Sequence, residues 1–206
     1  MLLVKITTLS SKHKIYRALD VLSEFDNQLI FDEFNNNQWI FNKIESREDK
    51  LSYPIRGSLN SKKLGKDSLN IIGHNLQFIK FATEVKYKLQ SLVIENPLVL
   101  YRINTNIQFF GMESSFHRDN PNNEKNYWTF VYFIGPNWDV TYAGEFCVHT
   151  GGLNYHYAPY IPNTGVLFPA HLEHMGHSPN RLSNRPRLSI AFTYQEQKNS
   201  GHSHGK

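Results

Sequence analysis

The sequence predicts an α+β fold in which N-terminal helices buttress a β-sandwich or jelly roll. Two patterns and one composition carry this. Between Ile71 and Ile94 the apolar residues Ile72, Leu76, Ile79, Val85, Leu89 and Leu92 repeat near helical spacing. After Pro97 the pattern changes to short aromatic and β-branched runs separated by turn residues. Phe and Tyr are abundant, at 14 and 11 of 206 residues, which suits a β-rich core with bulky packing. Helices followed by a run of strands indicate α+β layering.

The elements follow in order. Residues 2–9 and 28–41 hold short apolar runs bounded by Asn and Asp, consistent with strands or short helices, and Asn35-Asn36-Asn37 reads as a turn. Residues 46–70 are polar, with Pro54, Gly57 and Gly65, and read as loop with short extended pieces. The 71–94 helix ends at Asn96-Pro97, because the residue before a proline avoids the helical region. Such a helix is expected to lie against a sheet as scaffolding. Strands are expected over 98–110, 127–134, 145–149, 165–168 and 187–194, with turns at Pro136-Asn137 and Gly151-Gly152. A chain of 206 residues suggests one domain large enough to bury a core. We place that domain at 1–197: helical and loop support in 1–97, the jelly-roll core in 98–197. The polar tail 198–206, with His202 and His204, is expected to be disordered.

Charge and cysteine usage narrow the function classes. The formal net charge is +4 and the longest basic cluster is Lys62-Lys63 with Lys66, too sparse for a nucleic-acid patch, so no nucleic-acid partner is expected. Cys147 is the sole cysteine, which excludes an intrachain disulfide and a Cys-based zinc site; it reads as a small packing residue. The N-terminus lacks a secretory signal pattern, and no run of 18 apolar residues exists. A cytoplasmic protein without a membrane partner is expected.

Chemistry is concentrated in four residues. His117-Arg118-Asp119 supplies an imidazole and a carboxylate two positions apart, which a strand would place on one face. A third ligand must come from elsewhere, and His149, His156, His174 and His177 compete for it. His174 is favoured because it follows the 165–168 strand and a short turn containing Pro169, at a strand end opposite the first pair; His177 is the runner-up. Two His and one carboxylate leave three open positions on a metal, the geometry of non-haem Fe(II) oxygenases. Arg187 can clamp the far carboxylate of a keto-acid co-substrate in bidentate fashion, with Ser189 on the same strand face; Arg185 is the alternative, but Pro186 beside it suits a turn.

The ordered set resembles the iron(II)- and 2-oxoglutarate-dependent dioxygenases, particularly the prolyl-4-hydroxylase-like branch, over roughly residues 98–194. His-Arg-Asp-Asn-Pro-Asn (117–122) is followed by an aromatic strand from Thr129, then Asn137-Trp138-Asp139, then Gly144-Glu145-Phe146. The family follows its His-x-Asp with a similar strand, an Asn/Trp turn and a Gly-Gly-Glu-Leu-like strand. Ala143 replaces the first glycine here. Phe168-Pro169, His174, Pro179-Asn180 and Arg187-Leu-Ser189 parallel the family's distal segment, with proline one position late.

The resemblance implies a double-stranded β-helix that holds Fe(II) through His117, Asp119 and His174. It implies that 2-oxoglutarate is anchored by Arg187 and Ser189, with O2 as oxidant and ascorbate as a candidate auxiliary reductant. A substrate C–H bond would be hydroxylated with release of succinate and CO2, most simply at a prolyl residue of a protein or peptide; a free amino acid, another small metabolite or a nucleobase is the alternative. Relatives often add a tyrosine hydroxyl from the strand after His-x-Asp; Tyr132 occupies that region, with Tyr101 and Asn106 as substitutes. Two other classes compete: a zinc hydrolase using the same three ligands, and a non-catalytic jelly-roll binding module.

Overall fold

The computed structural model describes residues 5–36, 40–43, 56–58, 76–120 and 126–197. Most of the 46–70 loop, Ile72 of the expected helix, and the 198–206 tail lie outside the described residues. Among the described residues, eleven strands and two α-helices run in the order β1 (Lys5–Ser10), β2 (Ile15–Leu19), α1 (Glu24–Asn35), β3 (Ile40–Lys43), β4 (Arg56–Ser58), α2 (Leu76–Leu92), β5 (Leu98–Gln108), β6 (Tyr127–Ile134), β7 (Phe146–His149), β8 (Tyr155–Ala158), β9 (Thr164–Pro169), β10 (Glu173–Gly176) and β11 (Arg187–Glu196). They form an eight-stranded sheet, β1-β2-β9-β6-β11-β5-β4-β3, and a three-stranded sheet, β10-β7-β8. Every pairing is antiparallel.

Both helices start and pack for identifiable reasons. Ser23 caps α1 in extended conformation and accepts from the Asp26 N–H, while Glu24 and Asp26 sit in the first turn, where the helix dipole favours acid. In α2 the buried stripe is Phe78, Phe81, Ala82, Val85 and Leu89. The sequence expectation named Ile79 and Leu92 for that stripe, but Ile79 is only partly buried and Leu92 is exposed. The aromatic residues, being larger, set which side of the helix faces the sheet.

Period-two alternation divides the large sheet into two cores. Phe130, Tyr132 and Ile134 of β6 and Leu188, Ile190, Phe192 and Tyr194 of β11 face α2. Phe81 meets Tyr132 and Phe192 edge-on at 4.9 and 5.2 Å between ring centroids. Val131, Phe133 and Ala191, on the opposite face, pack with Phe146, Val148 and Phe168 between the two sheets. A fully buried Phe stabilises by about 1.5–3 kcal/mol, so these rings dominate the packing energy. Gly165 permits the close β9–β6 approach: a Cβ there would sit 2.6 Å from the Phe130 ring and 2.7 Å from the Val131 carbonyl.

Beside α1 and α2, the described residues before 98 form four strands. The β1–β2 hairpin extends the large sheet at one edge and β3–β4 at the other. Strands β8 and β10 were not foreseen. They are four residues each, and β10 (Glu-His-Met-Gly) lacks β-branched or aromatic residues; it exists because β7 and His117 offer it backbone partners.

Candidate active site

The site lies between the sheets, where β5, β6 and β11 face β7 and β10. The site is built on a mutual backbone bridge. The His117 N–H donates to the His174 carbonyl at 3.1 Å, and the His174 N–H to the His117 carbonyl at 2.9 Å. Each imidazole is then fixed in the same way. His117 Nδ1 lies 3.0 Å from the Ser115 carbonyl and His174 Nδ1 3.1 Å from the Leu172 carbonyl. A carbonyl only accepts, so Nδ1 carries the proton in both rings and Nε2 is left as the electron-pair donor.

Asp119 completes the cluster. One ligand atom from each of His117, Asp119 and His174 lies within 4.8 Å of the others. Thr129 donates to Asp119 Oδ2 at 2.7 Å and Arg102 donates to Oδ1 at 2.5 Å. Burial alone would raise the Asp119 carboxyl. His174, Arg102, His117 and the Thr129 hydrogen bond outweigh it and hold the group well below the usual carboxylate range. Burial and then the neighbouring His117 push the His174 imidazole down to about 4, so at neutral pH it is uncharged and Arg102 is the standing cation beside the carboxylate.

This geometry departs from the expectation in two ways. His117 and Asp119 converge without a regular strand, since His117 makes only an isolated bridge. His174 lies inside β10, paired with Val148 of β7, rather than beyond the end of β9. The competing histidines are elsewhere. His177 stacks on Tyr157 at 6.3 Å, His149 bonds Glu173 and the Gly152 carbonyl, and His156 sits 3.4 Å from the Thr150 hydroxyl.

Deeper in the same cavity lies Arg187, 2% exposed. Its Nε donates to the Gly144 carbonyl at 2.9 Å, and Nη1 to Gln108 Oε1 at 3.1 Å and Ser189 Oγ at 3.2 Å. The guanidinium also lies 5.3 Å from the Phe133 ring centroid and 5.1 Å from that of Tyr160. Nη2 is buried and has no hydrogen-bond partner. Burial lowers this arginine to about 10 against the smaller opposing pulls of Tyr160 and Glu145. The Gly144 carbonyl is aimed by a turn in which Ala143 takes φ 61°, a region that favours glycine; Trp138 Nε1 holds the Ala143 carbonyl at 2.9 Å. Arg185 is exposed and borders a different cavity with Trp138.

Ser189 and Asn106 line the cavity. Tyr132 is not brought to it. Its hydroxyl donates to Asn27 Oδ1 at 2.7 Å and reaches Asn163 Oδ1 at 3.1 Å, on the α2 side of the sheet. The alternation of β6 decides this, because Thr129, Val131 and Phe133 occupy the inner face. Tyr101 instead meets Tyr127 edge-on at 5.2 Å. We expect Tyr132→Phe to cost about 1–2 kcal/mol of stability through the lost hydrogen bonds and to leave 2-oxoglutarate affinity unchanged, as urea denaturation and ligand titration would measure.

Sequence reasoning missed Arg102, Asn104, Gln108, Ser114 and Thr129. A signal existed in β5, where Arg102, Asn104, Asn106 and Gln108 recur at period two in a strand otherwise fit for a core. Register places them opposite Thr193, Ala191, Ser189 and Arg187 respectively, so one polar stripe runs the length of the site. Among the described residues no helix is long and apolar enough to cross a membrane.

No protein-family model matches the sequence, and no curated protein is similar to it by sequence. Solved structures do match. A Pseudomonas putida prolyl-4-hydroxylase is 12% identical with a TM-score of 0.62, over 91% of this chain and 95% of that one. A Trichoplax adhaerens prolyl hydroxylase, solved with a hypoxia-inducible-factor oxygen-degradation-domain peptide, is 16% identical with a TM-score of 0.62, over 89% and 84%. HygX from Streptomyces hygroscopicus, solved with nickel and 2-oxoglutarate, is 10% identical with a TM-score of 0.62, over 90% and 84%. At these identities the likeness speaks for the backbone, and the chain has the jelly-roll fold of the iron(II)- and 2-oxoglutarate-dependent oxygenases.

Proposed function

We propose that this protein is an Fe(II)- and 2-oxoglutarate-dependent dioxygenase that hydroxylates a substrate C–H bond. One observation carries the reading: a three-ligand cluster and a buried arginine with an unpartnered Nη2 share a single cavity. The residues fit both missing groups. Imidazole nitrogens from His117 and His174 with one ionised carboxylate from Asp119 are the donor set of a non-haem Fe(II) centre. A buried cation with an unused N–H edge is the complement of a carboxylate.

When bound, iron(II) and 2-oxoglutarate activate O2, so that a substrate C–H bond becomes C–OH while the keto acid is converted to succinate and CO2. The protein's part is placement. His117, Asp119 and His174 would hold the metal. Arg187 takes the far carboxylate of the keto acid, assisted by the Ser189 hydroxyl, which accepts from Nη1 and so keeps its own proton free to donate. Phe146, Val131 and Ala191 exclude water between the two ends.

For the substrate, we favour a prolyl residue of a protein or peptide, supported by the two prolyl hydroxylases among the structural neighbours and by the sequence motifs. A small molecule is the second reading, since the neighbours include an epimerase of nogalamycin biosynthesis. The single, buried Cys147 suits a reducing, cytoplasmic setting.

Anaerobic titration of metal-free protein with Fe(II) and then 2-oxoglutarate tests the core of this reading. A visible charge-transfer band requiring both additions is expected, abolished in His174→Ala and retained in His177→Ala. Bound metal without a band in the wild type would overturn the reading and favour a metal-dependent hydrolase.

A further inference from the structure

Gln108 makes three side-chain hydrogen bonds in the site, and nothing in the motif pattern calls for it. It is 3% exposed and stands opposite Arg187 in the β5–β11 register. Its Nε2 donates to the Met112 carbonyl at 3.1 Å and to the Gly176 carbonyl at 3.0 Å, while Oε1 accepts from Arg187 Nη1 at 3.1 Å. Both amide protons and the amide oxygen are therefore used. The orientation is determined as well, because a flipped amide would set its oxygen against two carbonyl oxygens and its NH2 against the guanidinium. Ser114 Oγ reinforces the same Gly176 carbonyl at 3.0 Å. Gly176 leaves room beneath the guanidinium: a Cβ there would approach Arg187 Cζ and Nη1 to 3.0 Å.

The chemistry of this contact matters more than its strength. Gln108 is a neutral acceptor. It fixes Nη1 without discharging the cation, as Gly144 does for Nε. Two edges of the guanidinium are thus committed to uncharged oxygens, and Nη2 is left over. A glutamate at position 108 would pair with Arg187 and cancel the charge that an incoming carboxylate needs.

Resting on the function proposed above, we propose that Gln108 is a positioning residue that keeps Arg187 charged but unpaired and presents Nη2 to the far carboxylate of the co-substrate. It thereby makes the pocket selective for a keto acid bearing a second carboxylate.

The test compares two ligands on Fe(II)-loaded protein under anaerobic conditions. 2-Oxoglutarate carries the far carboxylate, whereas oxalate can engage the metal but lacks it. Dissociation constants are measured for wild type, Gln108→Glu and the near-isosteric Gln108→Met, with circular dichroism and melting temperature as controls for folding. Gln108→Glu is expected to weaken 2-oxoglutarate on the order of 30-fold or more, the loss typical of a buried charge pair deprived of its partner. Gln108→Met should weaken it by about tenfold, since it frees Nη1 without neutralising it. Oxalate should change less than about threefold in both. Unchanged 2-oxoglutarate affinity in either folded variant would overturn the proposal. So would a parallel loss of oxalate, which is what a merely structural role produces. If the wild type binds metal and oxalate but not 2-oxoglutarate, the function proposed above fails first, and the two failures are distinguished.

Discussion

Replacing Arg187 with methionine is expected to remove 2-oxoglutarate binding while leaving the ligand-free protein about as stable as before. Two terms of similar size oppose each other. The drop of the arginine from its ordinary value to about 10, caused first by burial, corresponds to about 3 kcal/mol of unfavourable charge burial at neutral pH. The unfolded chain holds this proton more tightly than the folded one. The penalty is therefore complete below about pH 10 and disappears as pH rises toward the ordinary arginine range. Methionine relieves it and keeps the packing between Phe133 and Tyr160. Against this stand three lost hydrogen bonds, to Gly144, Gln108 and Ser189, at about 1 kcal/mol each. Function has no such compensation. Deleting one partner of a buried, hydrogen-bonded charge pair costs about 2–5 kcal/mol of affinity. Wild-type protein at a hundred times Kd of 2-oxoglutarate should gain about 2.7 kcal/mol of stability. The methionine variant at the same concentration should gain less than about 1 kcal/mol. A melting curve of that variant that still shifts with 2-oxoglutarate as in the wild type would remove Arg187 from the binding site.

The second large effect is expected at Asp119. Asp119→Ala removes the only anionic ligand of the cluster, so metal affinity should fall by more than about a hundredfold, beyond the range seen when only a ligand's partner is removed. Iron-dependent turnover should fall to background. The change also strands Arg102, whose side chain is 16% exposed and whose Nε is already buried without a partner. A fully buried charge left unpaired would cost about 3–5 kcal/mol; partial access to water reduces this to about 1–2 kcal/mol. At this chain length that is a fall of several degrees in melting temperature. The double variant Asp119→Ala/Arg102→Met should recover the lost stability without recovering metal, because it removes the stranded cation. Equilibrium dialysis and calorimetry on the two variants separate the roles. Normal iron content and turnover in Asp119→Ala would sink the metal assignment.

Much of the architecture was legible in the chain. The strand at 127–134, the strand beginning at Arg187 and the helix before Asn96-Pro97 are long, strongly patterned elements whose periodicity survives without tertiary context. Strands of four residues such as β8 and β10 carry too few positions for periodicity to register, and the N-terminal strands are recruited by the edges of a sheet that the chain completes only later.

The site divides in the same way. That His117, Asp119, Arg187 and Ser189 are candidates follows from local spacing and motif order, although an isolated bridge rather than a strand carries His117. Which histidine joins them does not. His174 is selected over His177, three positions away, because the bridge to His117 and the β10–β7 register turn one ring inward, while the other stacks on Tyr157. Register likewise sends Tyr132 to the helical side and brings Gln108 opposite Arg187. A one-residue slip would reverse every such face. The sequence by itself determined the chemical groups and the long strands β5, β6 and β11. The tertiary structure alone decided which groups meet, because that depends on pairing between segments tens of residues apart, where the burial energy of the alternating apolar faces sets the register.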